Sequence, residues 1–227
     1  MSLAAEAVSL LAGGDPETWG VVALTLKVAA SGLLVGLSLG VPAGALLALA
    51  RFPGRRLLLG IASAGMGLPP VLAGLLVALL LWRSGPLGGL ELIYTPTAMV
   101  LAQALIATPI VVSLTAAGLQ QLGEEMPAQL RSLGATRWQL AWLLLREARL
   151  PLVAAAMAAG GRLLAEVGAA MMVGGNIKGE TRILTTAMVM EVRQGHFALA
   201  LAMGFTLLLL ALVVNGALTW IQQRRAA

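Results

Sequence analysis

Apolar residues recur along the chain in five long stretches, near residues 18–49, 57–82, 95–119, 151–174 and 197–221, with few charges inside them. About 20 helical residues cross a bilayer, so each stretch predicts a transmembrane helix. Residues 1–14 carry too few apolar positions to span, and Gly13-Gly14-Asp15-Pro16 stops any helix there. They predict a short interfacial helix. The run from Thr181 to Glu191 is also too short to span. It dips into the outer surface or lies along it, and it is the place where a sixth span would fall. The predicted fold class is an all-α membrane protein, with residues 1–227 forming one transmembrane domain.

Between the third and fourth stretches, residues 120–150 turn polar. Met126 to Leu140 has charge and helix-compatible residues on both sides of a lone Gly134, and Pro151 stands at the exit after Arg146-Glu147-Ala148-Arg149. This predicts a short helix, a turn and a second short helix at a membrane surface. Two readings fit: a docking loop, or an amphipathic loop lying on headgroups with its arginines and Trp138 as anchors.

The second stretch holds Gly65-Met66-Gly67-Leu68-Pro69-Pro70. Two prolines remove two backbone donors and clash with the preceding turn, so the helix breaks or kinks there. A half-helix starting after Pro70 would point free N–H groups and its positive dipole end toward mid-bilayer, which suits an anion pathway. A kink that serves packing alone fits equally well.

In the fourth stretch, Arg162 and Glu166 are spaced to pair on one helix face. The pair shapes a gate or subunit interface, or is a self-neutralising pair near the start of that span. Met171 and Met172 either narrow a pore or pack. Gly174-Gly175-Asn176 turns the chain into an outer loop.

Composition agrees with a membrane protein: hydrophobic residues are 59% and charged residues 11% of the chain, and mean hydropathy is +0.91. A soluble domain carries roughly a quarter charged residues. The net charge of +5 does not argue for nucleic acid, because the basic residues are spread through loops between apolar runs. They set orientation instead. Arg51, Arg55, Arg56, Arg131, Arg137, Arg146, Arg149, Arg162, Arg224 and Arg225 fall on one side, ten of the 15 basic residues. That side is expected to be cytoplasmic, with the N-terminus outside and residues 120–150 and the C-terminus inside. The chain has no Cys and one His, His196, so thiol chemistry and a histidine metal cluster are excluded. Neither lysine, Lys27 or Lys178, sits in a phosphate-binding Gly-Lys-Ser/Thr loop, so ATP hydrolysis would belong to another subunit.

The segment Arg131-Ser132-Leu133-Gly134-Ala135-Thr136-Arg137-Trp138 resembles the cytoplasmic coupling loop of ABC-importer permeases. The family's Glu-Ala-Ala reads Ala128-Gln129-Leu130 here, and its Leu-Pro is replaced by Arg146-Glu147. Gly67-Leu68-Pro69-Pro70-Val71, Ser84-Gly85-Pro86-Leu87-Gly88, Ala165-Glu166-Val167-Gly168-Ala169 and Gly175-Asn176-Ile177-Lys178-Gly179 look like the sulfate, molybdate and tungstate group. Tyr94-Thr95-Pro96-Thr97, Arg146-Glu147-Ala148-Arg149 and Leu184-Thr185-Thr186-Ala187 look most like permeases that import tungstate.

The resemblance implies a type I importer permease fold in a prokaryotic inner membrane. It implies two copies of this chain, two ATP-binding subunits and an extracytoplasmic oxyanion-binding protein. No cofactor or metal would be bound by this chain, and ATP and Mg would be used by the partner ATPase. Ser132, Leu133, Gly134, Ala135, Thr136 and Arg137 would meet the ATPase. Gly67, Pro69, Pro70, Arg162, Glu166, Met171 and Asn176 would lie on the pathway or its gate. The alternatives are molybdate or sulfate as substrate, an ATP-independent anion carrier, or a passive membrane anchor.

Overall fold

A computed structural model of the chain describes residues 16–123 and 125–224. The expected interfacial helix over residues 1–14, and Arg225, lie outside the described residues. Among the described residues there are ten α-helices and no β-strand. In chain order these are α1 (Pro16–Leu49), α2 (Arg55–Gly65), α3 (Pro70–Leu81), α4 (Pro96–Gln120), α5 (Glu125–Ser132), α6 (Arg137–Glu147), α7 (Arg149–Leu164), α8 (Gly168–Gly174), α9 (Leu184–Arg193) and α10 (Phe197–Arg224).

Three of them, α1, α4 and α10, are single helices long and apolar enough to cross a membrane. Two bent helix pairs are further candidate crossings, long and apolar enough only when each pair is taken together. α2 and α3 meet at 106°, and α7 and α8 at 60°. The first bend sits at Pro69-Pro70, where a proline at the first position of α3 starts a new helix easily but cannot continue the old one. The second was not expected: the 151–174 stretch reads as one helix, yet it breaks at Ala165-Glu166-Val167.

The core is built on α1 and α4. Lipid supplies no hydrophobic drive for one helix to find another, so close backbone approach has to provide the attraction. α1 places glycines at every fourth residue, Gly32, Gly36, Gly40 and Gly44, over Gln103, Ala107, Val111 and Thr115 of α4. The approach leaves no room for a methyl group. A Cβ at Gly36 would lie 2.6 Å from Ala107 Cβ, and one at Gly40 would lie 2.6 Å from Val111 Cβ. The residue numbers rise together on both helices, so α1 and α4 run parallel.

The same contacts give the direction of every other crossing. Gly118 of α4 meets Pro151 of α7, and Gly174 of α8 meets Met99 of α4, so the α7/α8 pair runs against α4. Val71 of α3 meets Gly168, and Gly74 meets Ala169 and Met172, so α3 runs with α8. α10 packs Met203 against Val21 and Val22 at the start of α1 and brings Asn215 near Gly161 of α7. It therefore runs with α1. Three spanning-length helices and two bent pairs thus alternate in direction, and the start of α1 and the end of α10 lie at opposite ends of the bundle.

The segment around 181–191 forms α9, whose ten residues are too few to span. It does not lie free on a surface. Leu184, Thr185, Thr186, Ala187 and Glu191 are buried, against α10 and the start of α1. Its first turn is held by hydroxyls: Leu184 N–H donates to Thr25 Oγ1 of α1 at 2.9 Å, and Ile183 N–H to Thr186 Oγ1 at 3.1 Å. A buried helix start needs such partners for its free N–H groups.

Candidate functional site

Two features stand out, at different depths of the bundle. The first is the hairpin of α5 and α6. α5 ends in a Schellman turn: Gly134 N–H donates to Arg131 O at 3.0 Å and Ala135 N–H to Leu130 O at 3.1 Å. The turn requires a left-handed residue, and Gly134 supplies it with φ +82. Thr136 then opens α6 with a capping box. Gln139 N–H donates to Thr136 Oγ1, and the Gln139 Oε1 accepts from Thr136 N–H at 2.9 Å.

Behind the hairpin, Leu140 and Leu144 of α6 are buried with Ala45 of α1 and Leu119 of α4. Its tip is the reverse. Leu133 is 82% and Trp138 87% exposed, and Ser132, Gly134, Thr136 and Arg137 are exposed with them while Ala135 is half-exposed. Trp142 is also exposed, with the Arg146 guanidinium 5.5 Å from its ring centroid. The structure therefore brings all six residues from Ser132 to Arg137 into one exposed, hydrogen-bonded turn. Thr136→Ala removes one half of the capping box. We expect it to lower the melting temperature of the purified permease by a loss of about 1 kcal/mol, measurable by scanning fluorimetry.

The second feature is the pair of breaks. α3 and α8 begin side by side: a Cβ at Gly168 would lie 2.6 Å from Val71 Cγ2, and one at Gly74 would lie 2.7 Å from Ala169 Cα. Gly67 and Pro69 precede one start, which Pro70 opens, and Glu166 precedes the other. The expected pair between Arg162 and Glu166 does not form. The Glu166 carboxylate accepts from Ala169 N–H at 2.9 Å, capping α8, and its carbonyl accepts from Thr185 Oγ1 of α9 at 2.8 Å. The residue is 4% exposed. Arg162 lies in the last turn of α7 and points away from the core, exposed.

The depth of Arg162 also differs from expectation. It is not near the start of the fourth crossing: at 1.5 Å per residue it stands about 20 Å along α7 from Arg149. Met171 is half-buried, and Asn176 follows α8 with φ +54. Sequence reasoning missed Thr185 and the capping role of Glu166. The only signal was weak: glutamate is not among the preferred N-cap residues, although an acid near a helix start is favoured by the helix dipole.

This assignment gives a sharp expectation. Glu166→Gln keeps an acceptor oxygen for Ala169 N–H and should leave assembly close to wild type, whereas Glu166→Ala should lose about 1–2 kcal/mol. Equal damage from both, measured as yield of folded permease, would restore the need for a charge.

Residues 40–227 match the family of binding-protein-dependent transport system inner membrane components. The chain belongs to this family. It is thus a multi-pass membrane subunit of an ABC importer, a class that works with a separate ATPase and a substrate-binding protein.

It is 35% identical over 217 residues to the tungstate uptake system permease protein TupB of Peptoclostridium acidaminophilum, covering 96% of this chain and 95% of that one. It is 38% identical to a probable anion ABC transporter permease protein of Haloferax volcanii, covering 86% of each. Its fold matches that of a bacterial ABC transporter involved in import of the acidic polysaccharide alginate, with a TM-score of 0.79 at 16% identity, covering 96% of this chain and 82% of that one.

Proposed function

We propose that this chain forms the membrane pathway of an ATP-driven importer of tungstate. The observation that carries the substrate is the 35% identity to a tungstate permease along nearly the full length of both chains. The geometry supports an anion as cargo. An arginine exposed on a membrane helix about 20 Å from its start cannot face hydrocarbon without large cost; it faces water or protein. Ala154 and Ala158 of α7, and Ala165 just after it, are exposed on the side of Arg162, and such small residues let another helix approach closely. That face supports a second copy of the chain, with Arg162 of each copy and the breaks at Pro69-Pro70 and Glu166 bordering a shared pathway. Gly67, Met171 and Asn176 continue it.

In this reading the hairpin end is cytoplasmic. Arg51, Arg55, Arg56, Arg131, Arg137, Arg146 and Arg149 all belong to that end, as the positive-inside rule asks. Ser132 to Arg137 dock in a groove of the ATPase, one per permease copy, and ATP and Mg are used there. An exposed Leu133 and Trp138 at this tip suit burial against a protein partner.

A second reading has one observation in its favour. Paired broken helices are a feature of carriers that work without ATP, and α3 and α8 are such a pair. The exposed hairpin has no part in that mechanism.

The test is ATPase activity of the permease co-purified with its ATPase, reconstituted in lipid, with the binding protein loaded with tungstate, molybdate or sulfate. Stimulation at the lowest concentration by tungstate is the expected result. Stronger stimulation by molybdate or sulfate keeps the mechanism and changes the cargo, and failure to co-purify with any ATPase returns the carrier reading.

A further inference from the structure

At the end of the bundle away from the hairpin, two loops meet in an unusual way. Among the described non-glycine residues, positive φ occurs at Glu91 (+50), Tyr94 (+62) and Asn176 (+54). The last two are joined: Tyr94 N–H donates to Val173 O at 2.9 Å, and the Tyr94 ring lies where a Cβ on Gly175 would be 2.9 Å from its Cδ1. Left-handed backbone at non-glycine residues costs about 1–3 kcal/mol each, and it collects at ligand clamps and switch regions.

Beside this contact, two polar side chains converge on a thioether. Asn176 Nδ2 is 3.3 Å and an Arg182 terminal nitrogen 3.4 Å from Met190 Sδ. A thioether is a weak acceptor. Asn176 Oδ1 and Arg182 Nε are buried with no hydrogen-bond partner at all. No carboxylate among the described residues bonds the guanidinium, although Glu91 and Glu180 lie in the same two loops. A half-buried guanidinium whose acceptor is one sulfur atom leaves most of its donors unused, and burial makes unused donors costly.

We propose that Arg182 and Asn176 form an oxyanion station at the outer mouth of the pathway, parked on Met190 while the mouth is closed. A guanidinium presents its donors in a planar fork that fits two oxygens of a tetrahedral dianion, and a carboxamide adds a further donor. Release from a weak sulfur acceptor costs little, so a dianion leaving the binding protein as the mouth opens outcompetes Met190 for both groups. This proposal rests on the reading of the chain as an oxyanion permease.

The test uses the permease reconstituted with its ATPase and binding protein, comparing uptake of tungstate and sulfate. Arg182→Met should lower tungstate uptake about tenfold or more, the scale of a lost charge-assisted hydrogen bond. Met190→Leu, which removes only the parking contact, should keep uptake. Arg182→Lys should change the ratio of tungstate to sulfate turnover, because a point charge replaces the fork; a merely structural arginine would scale both anions together.

A second measurement does not depend on uptake. The chain has no Cys, so Met190→Cys gives one thiol, and Arg182 should make it react faster with an anionic than with a cationic thiol reagent in the complex held with a non-hydrolysable ATP analogue. Addition of tungstate should slow both reactions. Equal rates with and without Arg182, or wild-type uptake in Arg182→Met, would overturn the station. Failure of the unmutated transporter to move any oxyanion would instead overturn the function on which it rests.

Discussion

Gly36→Leu is expected to abolish accumulation of folded permease. The glycine stripe of α1 lies against α4 so closely that even a methyl group at Gly36 would sit 2.6 Å from Ala107 Cβ, with the Ala107 carbonyl carbon and Thr108 nitrogen at 3.5 Å. Part of what a larger side chain would meet is therefore backbone, which cannot rotate away. Overpacking a single site costs about 1–3 kcal/mol where side chains can adjust, and here the two central helices would have to separate. Their separation would unseat Gly32, Gly40 and Gly44 as well, because all four glycines share one interface. Whole-domain stability is only about 5–15 kcal/mol. Gly20, on the same helix, has nothing within 4 Å of a built Cβ. Gly20→Leu is the matched control and should be close to neutral. Fluorescence-detected size-exclusion of the two variants checks both expectations. A monodisperse Gly36→Leu permease with wild-type melting temperature would mean that α1 and α4 do not pack through this stripe.

Gly134→Pro is expected to leave the bundle folded and to remove ATP-driven transport. Proline is held near φ −65, while residue 134 sits at φ +82 and donates its N–H to Arg131 O. The substitution breaks both, so α5 and α6 can no longer meet at the present angle. The buried anchor at Leu140 and Leu144 lies one turn or more farther along α6 and should hold. The damage is thus confined to the tip that carries Leu133 and Trp138. Gly134→Asn is the control, since asparagine tolerates the left-handed conformation at a helix end. It should retain most of the uptake, whereas the proline variant should lose stimulation of the ATPase by loaded binding protein. Normal uptake in Gly134→Pro would sink the assignment of this turn to coupling.

Much of this architecture could be read from the chain, and the reasons for the exceptions are physical. Gly134 between helix-forming residues announced its turn because few other residues reach positive φ. Pro69-Pro70 announced its break because proline removes donors whatever surrounds it. The break at Ala165-Glu166-Val167 carries no such residue. It exists because Glu166 turns its own carboxylate back to Ala169 and because Thr185, nineteen positions later, takes up the Glu166 carbonyl.

No local pattern specifies that second contact. The consequence reached Arg162, whose distance from the membrane surface depends on where α7 ends and whose partner had been assigned by helical spacing across a helix that is interrupted. α9 was ambiguous for a related reason. Its length rules out a span, but its burial depends on Thr25 of α1 capping Leu184, a contact across 159 residues. The spacing of Gly32, Gly36, Gly40 and Gly44 was in plain view, yet its partner helix follows only from the packed structure.

The central claim is that this chain moves an oxyanion only when an ATPase drives it from the hairpin. The direct measurement is uptake of labelled tungstate into proteoliposomes containing the permease and its ATPase, with ATP enclosed and loaded binding protein outside. Accumulation that requires ATP, the ATPase subunit and the binding protein together is the predicted result. Accumulation by the permease alone, without ATP, would contradict the account and make the paired half-helices those of a carrier.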